Sequence, residues 1–194
     1  VARRLGGDKP ATRYQEGTLD VQATENFHYK PLWEPEYWHY DKRKTAVVME
    51  DWYAPLDPRQ YYYATYNIAR ANMQQAVDRN FAFVEERDLF AKAGDDARRA
   101  LIDKLLPIRH LHWGSNMNMA EICQRGWGTA ITAPCIFSAG DQLGMAQIVS
   151  RIGLALDGQT GTSLDEAKAV WLDAPAWQGV RRLIEDTFVE RDWF

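Results

Sequence analysis

The sequence is poor in the groups that carry most site chemistry. Cysteine occurs twice and histidine four times in 194 residues. Cys123 and Cys135 have no paired spacing for a metal or redox site and fall in helix-patterned segments. They read as small reduced hydrophobes in a cytoplasmic protein, with a disulfide disfavoured. No apolar run reaches the roughly 18 residues of a membrane span, and the first residues lack the charged and apolar regions of a signal peptide. Basic residues are not in surplus: the formal net charge is −4 with both signs mixed along the chain. That excludes a basic face for nucleic acid. A glycine-rich phosphate loop, a nucleophile elbow and a Cys-x-x-Cys pair are all missing.

Aromatic residues, by contrast, are abundant: 8 Trp, 9 Tyr and 7 Phe, concentrated toward the N-terminal third. Residues 1–57 combine Pro10, Pro31, Pro35 and Pro55 with Tyr14, Phe27, Tyr29, Trp33, Tyr37, Trp38, Tyr40, Trp52 and Tyr53. Neither a period of 3.6 nor a long period of two runs through this segment, although Thr45–Met49 has the composition of a short strand. A solvated linker would not carry so many rings. The expectation is an extended interaction arm that lays them on another surface, with Trp33, Trp38 and Trp52 as interface anchors. Packing of the arm on its own domain is the competing reading.

Two pairs in this arm, Glu25-Asn-Phe-His28 and Glu36-Tyr-Trp-His39, match the Glu-x-x-His ligand pattern of carboxylate-bridged di-iron sites. That chemistry needs each pair on a long helix, with a further Glu from each of two others. Pro31 and Pro35 interrupt the segment between the pairs, which argues against it.

From residue 58 the pattern turns helical. Asp57-Pro58-Arg59-Gln60 predicts a capped start for a long helix that ends before Gly94. Asp95-Asp96 opens a second, which Pro107 should kink rather than end. A third runs to Leu156, where Asp157-Gly158 stops it. Ser163-Leu-Asp-Glu166 has the form of a capping box for a short fourth helix, and Asp173-Ala-Pro175 starts a fifth that should reach the chain end. Val1 is not an initiator Met, and the run Val180, Leu183, Ile184, Phe188 meets Phe194 without a cap. The expectation is an all-α antiparallel bundle over 58–194, incomplete and truncated at its C-terminal end.

The third helix carries the informative stripe: Cys135, Ser138, Gln142, Met145, Val149, Ile152 and Leu156 share one face and should meet a core. Gln142 and Met145 stand three apart where a helical di-iron bundle places Glu and His. An amide and a thioether cannot hold a hard metal centre, so these are degenerate ligand positions, filled as ordinary core. Glu121 is isolated in the middle of the second helix, and His110 and His112 read as structural. Ala139, Gly140, Gly144, Ala146 and Gly153 suggest close approach of a neighbouring helix. No catalytic residue and no metal are expected in this chain.

Several words of the sequence resemble the β subunit of the hydroxylase component of bacterial multicomponent phenol hydroxylases, within the phenol, toluene and xylene monooxygenase family. They are Lys9-Pro-Ala-Thr-Arg-Tyr-Gln-Glu16, Asn26-Phe-His-Tyr-Lys-Pro-Leu-Trp33, Asp57-Pro-Arg-Gln-Tyr-Tyr-Tyr63, Asp141-Gln-Leu-Gly-Met145, Ser150-Arg-Ile-Gly153, Trp177-Gln-Gly179, Glu185-Asp-Thr-Phe188 and Arg191-Asp-Trp-Phe194. The resemblance implies a metal-free ferritin-like fold in a two-fold assembly of α, β and γ subunits. Only α would bind di-iron, through a motif reading Asp-Glu-x-Arg-His where this chain has Asp141-Gln-Leu-Gly-Met145. It further implies an NADH-dependent aromatic monooxygenase, used in aromatic hydrocarbon catabolism, with a reductase carrying FAD and 2Fe-2S and a small regulatory protein. The alternatives are a free-standing di-metal oxidase using Glu25, His28, Glu36 and His39, and a helical binding module unrelated to oxygenases.

Overall fold

The computed structural model describes residues 6, 9–19, 30, 32–38, 41–52 and 54–194. Its regular elements are helices: α1 (Arg13–Thr18), α2 (Tyr63–Glu86), α3 (Asp95–Ala100), α4 (Ile108–Arg125), α5 (Thr129–Leu156), α6 (Thr162–Asp173) and α7 (Pro175–Thr187). A 3-10 turn at Lys42–Lys44 and a π-helical turn at Leu101–Leu105 complete them, and no strand occurs among the described residues. The stretch 45–49 is irregular chain rather than a strand.

The chain divides into two compact units. The first comprises the described residues of Val1–Ile68 with Asn118–Ser138 and Glu190–Phe194; the second comprises Ala69–Met117 and Ala139–Val189.

In the first unit the arm contains one helix that its proline content had masked. Thr12 caps α1: its hydroxyl accepts the Gln15 amide at 3.2 Å, and the Gln15 side chain accepts the Thr12 amide at 2.9 Å. The signal was a Thr-x-x-Gln capping box. Tyr14 on this helix is buried, and its hydroxyl accepts the Asp57 amide at 2.8 Å. The long helix does not start at Pro58. Asp57 folds its carboxylate onto the Arg59 amide (3.0 Å), Gln60 adopts φ of 49°, and α2 begins only at Tyr63. An Asx turn won the competition with a helix cap, because both use the same carboxylate. Further on, Tyr66 stacks on Phe137 with ring centroids 4.3 Å apart.

In the second unit α3 carries Asp95 and Asp96 in its first turn and Arg98 and Arg99 in its last, matching the helix dipole. The run then passes through the π turn, where the Leu106 amide bonds the Leu101 carbonyl at 2.9 Å. Pro107 has no N–H for the Asp103 carbonyl four residues back. The indole Nε1 of Trp177 supplies that donor at 2.9 Å. The orphan created by proline is thus satisfied from α7, and the helical run continues as the pattern predicts.

The core of this unit is Ile102, Leu106, Val149, Leu156, Leu164 and Ala167, flanked by Phe90, Leu101, Ile152 and Leu154. Helix α5 ends at Leu156 as expected. Gly158 takes φ of 67° and the Gln159 amide bonds the Leu154 carbonyl at 2.8 Å, which is a Schellman closure. The predicted capping box at Ser163 does not form. Gly161 is the N-cap of α6, and Ser163 lies buried inside the helix. Asp157 caps from outside instead, accepting the amides of Thr160 (3.1 Å), Gly161 (3.3 Å) and Ser163 (2.8 Å). Desolvation works against ionised Asp157, but the hydrogen bonds from Ser163, Gly161 and Thr160 outweigh it and hold its carboxyl below the usual range. Helix α7 stops at Thr187 rather than reaching the chain end.

Candidate functional site

The stripe on α5 is only partly a core face. Val149 and Leu156 are buried and Cys135, Ser138, Gln142 and Ile152 half-buried, while Met145 is 41% exposed. Met145 is therefore not the core filler its position suggested. The C-terminal half of the stripe meets α6 and the π turn, and the middle does not.

Gln142 has a partner that no helical spacing could reveal. Its Oε1 lies 2.6 Å from Nδ1 of His112 on α4. An amide oxygen can only accept, so this contact places a proton on Nδ1. A second bond joins the same two helices: Asn116 Nδ2 donates to the Ala139 carbonyl at 2.7 Å. Where a di-iron bundle would bridge facing helices through metal, α4 and α5 here are bridged by side-chain hydrogen bonds. The donor set of an amide, a thioether and an imidazole already bonded to that amide does not fit a carboxylate-bridged iron pair.

Around this point α5 is held by arginines from α2 and to α2. Arg70 Nε lies 3.1 Å from Asp141, and its guanidinium occupies the space beside Gly144, 2.9 Å from where a Cβ would stand. Gly144 thus admits a flexible side chain, not a helix backbone. Close packing falls on Gly153, where a Cβ would collide with the Leu164 side chain, and on Gly114, where it would collide with Ile184. Arg151 reaches back to Asp78 and Glu85, each at 3.2 Å, and lies over the Phe81 ring.

The remaining candidates are placed as follows. Glu121 forms an ion pair with Arg125 on its own helix. His110 stacks on Trp171 with centroids 5.7 Å apart, and burial, with Arg109 and Lys168 nearby, depresses it to about 4. Both cysteines are free thiols; burial pushes Cys135 up to about 11, with Cys123 adding to it, and burial raises Cys123, which disfavours the thiolate at both. Of the two Glu-x-x-His pairs, Glu25, His28 and His39 lie outside the described residues, and Glu36 is exposed. Among the described residues no cluster of three or more His, Cys, Asp or Glu could hold a metal ion. No helix among them is long and apolar enough to cross a membrane.

In the arm, Trp33 is 70% and Trp38 46% exposed, with Lys30 over the Trp38 ring at 5.2 Å. Trp52 is half-buried, its ring 5.8 Å from that of Trp193. Lys44 pairs with Glu34 although its side chain is only 9% exposed. Burial, reinforced by Arg125, lowers that ammonium, with Glu121 opposing.

A helical fold among the described residues, with α4 and α5 joined by side-chain hydrogen bonds, defines a helical bundle protein. The chain belongs to the Methane/Phenol/Alkene Hydroxylase family, whose model matches residues 33–194. It is 50% identical over 194 residues to the phenol 2-monooxygenase oxygenase component MhpL of Acinetobacter pittii (strain PHEA-2), covering 100% of this chain and 58% of that one. A crystal structure of phenol hydroxylase from Pseudomonas sp. OX1 matches with a TM-score of 0.93 and 46% identity, over 100% of this chain and 58% of that chain. The toluene-4-monooxygenase hydroxylase component subunit beta of Ectopseudomonas mendocina is 25% identical over 159 residues, 80% of this chain and 49% of that one. The chain therefore spans less than two thirds of the length of these relatives. The match to solved structure agrees with the expected ferritin-like, all-α architecture.

Proposed function

We propose that this chain is the non-catalytic, structural β subunit of a phenol hydroxylase-like di-iron monooxygenase. It supports an α subunit that hydroxylates phenol or a related aromatic with O₂ and electrons from NADH. On this reading the assembly is a two-fold hetero-oligomer of α, β and γ chains in the cytoplasm. A regulatory protein and a reductase carrying FAD and 2Fe-2S complete the system. Residues 1–57 are the interaction arm and 58–194 belong to the ferritin-like domain. The observation that carries the proposal is the bond between Gln142 and His112, which joins two helices at the position we read as a degenerate ligand site. Similarity over all 194 residues to an oxygenase component, of which they span 58%, supplies the reaction class. Trp33, Trp38 and Trp52 are the proposed anchors, Trp52 being half-buried beside Trp193.

The test is to purify the complex from its native host, separate the subunits, and measure iron in each. Iron should follow the α-type partner, and this chain should contain none in stoichiometric amount. One or two equivalents of iron surviving dialysis on this chain would overturn the scaffold reading and return attention to Glu25, His28, Glu36 and His39. Membership of the family argues against a helical module unrelated to oxygenases.

A further inference from the structure

Within the first compact unit, two segments far apart in sequence are tied together. Asp192 Oδ2 accepts the Ala46 amide at 2.6 Å, and the Trp193 amide donates to the Lys44 carbonyl at 3.3 Å. Trp193 is buried to 3% exposure and lies against Trp52. Its indole nitrogen has no hydrogen-bond partner among the described residues, so the ring is seated for its apolar contact rather than for a polar one. Asp192 also accepts the Phe194 amide at 3.0 Å, which folds the short segment onto itself. On the arm side, Lys44 is anchored by Glu34, and Asp41 caps the turn at Lys42–Lys44 through the Arg43 amide at 2.9 Å. The same stretch of arm leaves Leu32 at 94%, Trp33 at 70%, Trp38 at 46% and Val48 at 91% exposure.

A short irregular segment has no ladder of its own to hold its shape. Besides its own contacts at Lys44 and Asp41, it is held from outside by Asp192 and Trp193. We propose that these residues form a strap that preorganises the arm, so that Leu32, Trp33, Trp38 and Val48 are presented to the α-type partner from a fixed backbone. Asp192 and Trp193 are positioning residues in this scheme; they act through Lys44, Ala46 and Trp52. The inference rests on the arm being an interface, and it adds how that interface is made ready. Ordering the segment before association removes an entropy loss that binding would otherwise carry.

Hydrogen–deuterium exchange on the 194-residue chain tests the strap without a partner. Asp192→Ala should speed exchange in the peptide containing Ala46 by roughly tenfold or more, as loss of a hydrogen bond to a charged acceptor predicts. Peptides from α5 and α6 should be unchanged. Asp192→Asn keeps an acceptor oxygen and should restore protection, which a general loss of stability would not do. Unchanged exchange in Asp192→Ala would overturn the strap. Binding to the catalytic partner separated from the native complex is then measured for Asp192→Ala, Asp192→Asn and Trp33→Ala. Asp192→Ala should weaken binding by roughly threefold to tenfold, and Asp192→Asn should not. If Trp33→Ala weakens binding while Asp192→Ala does not, preorganisation fails and the interface stands. If neither weakens it, the interface reading fails and takes preorganisation with it.

Discussion

His110 stacks on Trp171 and is held near a pKa of about 4 by burial, with Arg109 and Lys168 adding to the effect. An unfolded chain would protonate it near 6.5. Between those values the unfolded state binds more protons, so this residue's contribution to stability falls as pH drops through the window and is fully present above it. His110→Phe keeps a ring for Trp171 and removes the titration. Its melting temperature should vary less between pH 6.5 and 4 than that of the wild type. An equally steep dependence in both would mean that other groups govern acid stability here. At Gln142 the expectation concerns a hydrogen bond: Gln142→Leu leaves the His112 Nδ1–H without its acceptor. The loss should be about 1 kcal/mol, kept small because both side chains are only half-buried. A thermal melt indistinguishable from wild type would show that water replaces the amide at no loss.

At the scale of elements, glycine marks two different kinds of contact. A side chain at Gly153 would run into Leu164 and Leu106, both in the core cluster of the second unit. A side chain at Gly144 would meet only the tip of Arg70, which can swing away. Gly153→Leu should therefore destabilise by about 1–3 kcal/mol through overpacking, and Gly144→Ala by much less. Denaturant melts of both variants decide it, and the opposite order would show that α5 is approached most closely in its middle. The π turn makes a further prediction. Trp177→Phe retains the ring but leaves the Asp103 carbonyl without the donor that Pro107 cannot provide, at about 1 kcal/mol.

For the whole molecule, the exposed tryptophans carry the expectation. In the native complex Trp33→Ala and Trp38→Ala should each weaken association with the α-type subunit by roughly 2 kcal/mol if they sit near the interface centre. The effect on the melt of the isolated chain should be slight for Trp33→Ala, whose ring is largely solvent-facing there, and somewhat larger for Trp38→Ala, whose ring is 46% exposed. Deleting residues 1–57 outright would be a poorer test. It removes Tyr14 and Asp57, both buried and joined to one another, so the first unit would be damaged before any partner was added. Retention of full assembly by the double variant Trp33→Ala/Trp38→Ala would sink the anchor assignment.

The helical periods from residue 63 onward, the Gly158 stop and the chemical nature of positions 142 and 145 all follow from the sequence, because side-chain spacing and donor type are local properties. They were enough to read an all-α bundle. The start of α2, the cap of α6 and the end of α7 were not legible in the same way. Each is a competition between local alternatives differing by about 1 kcal/mol, and packing tips the balance. Thus Asp57 turned onto Arg59, and Asp157 displaced Ser163 as a cap. Other facts are tertiary altogether: His112 against Gln142, Arg70 beside Gly144, Trp177 completing the Asp103 carbonyl, and Asp192 holding Ala46. These partners lie 30 or more residues apart in sequence, from 30 for His112 and Gln142 to 146 for Ala46 and Asp192. Which of them meet depends on the faces that helices turn toward one another, and no single segment contains that information.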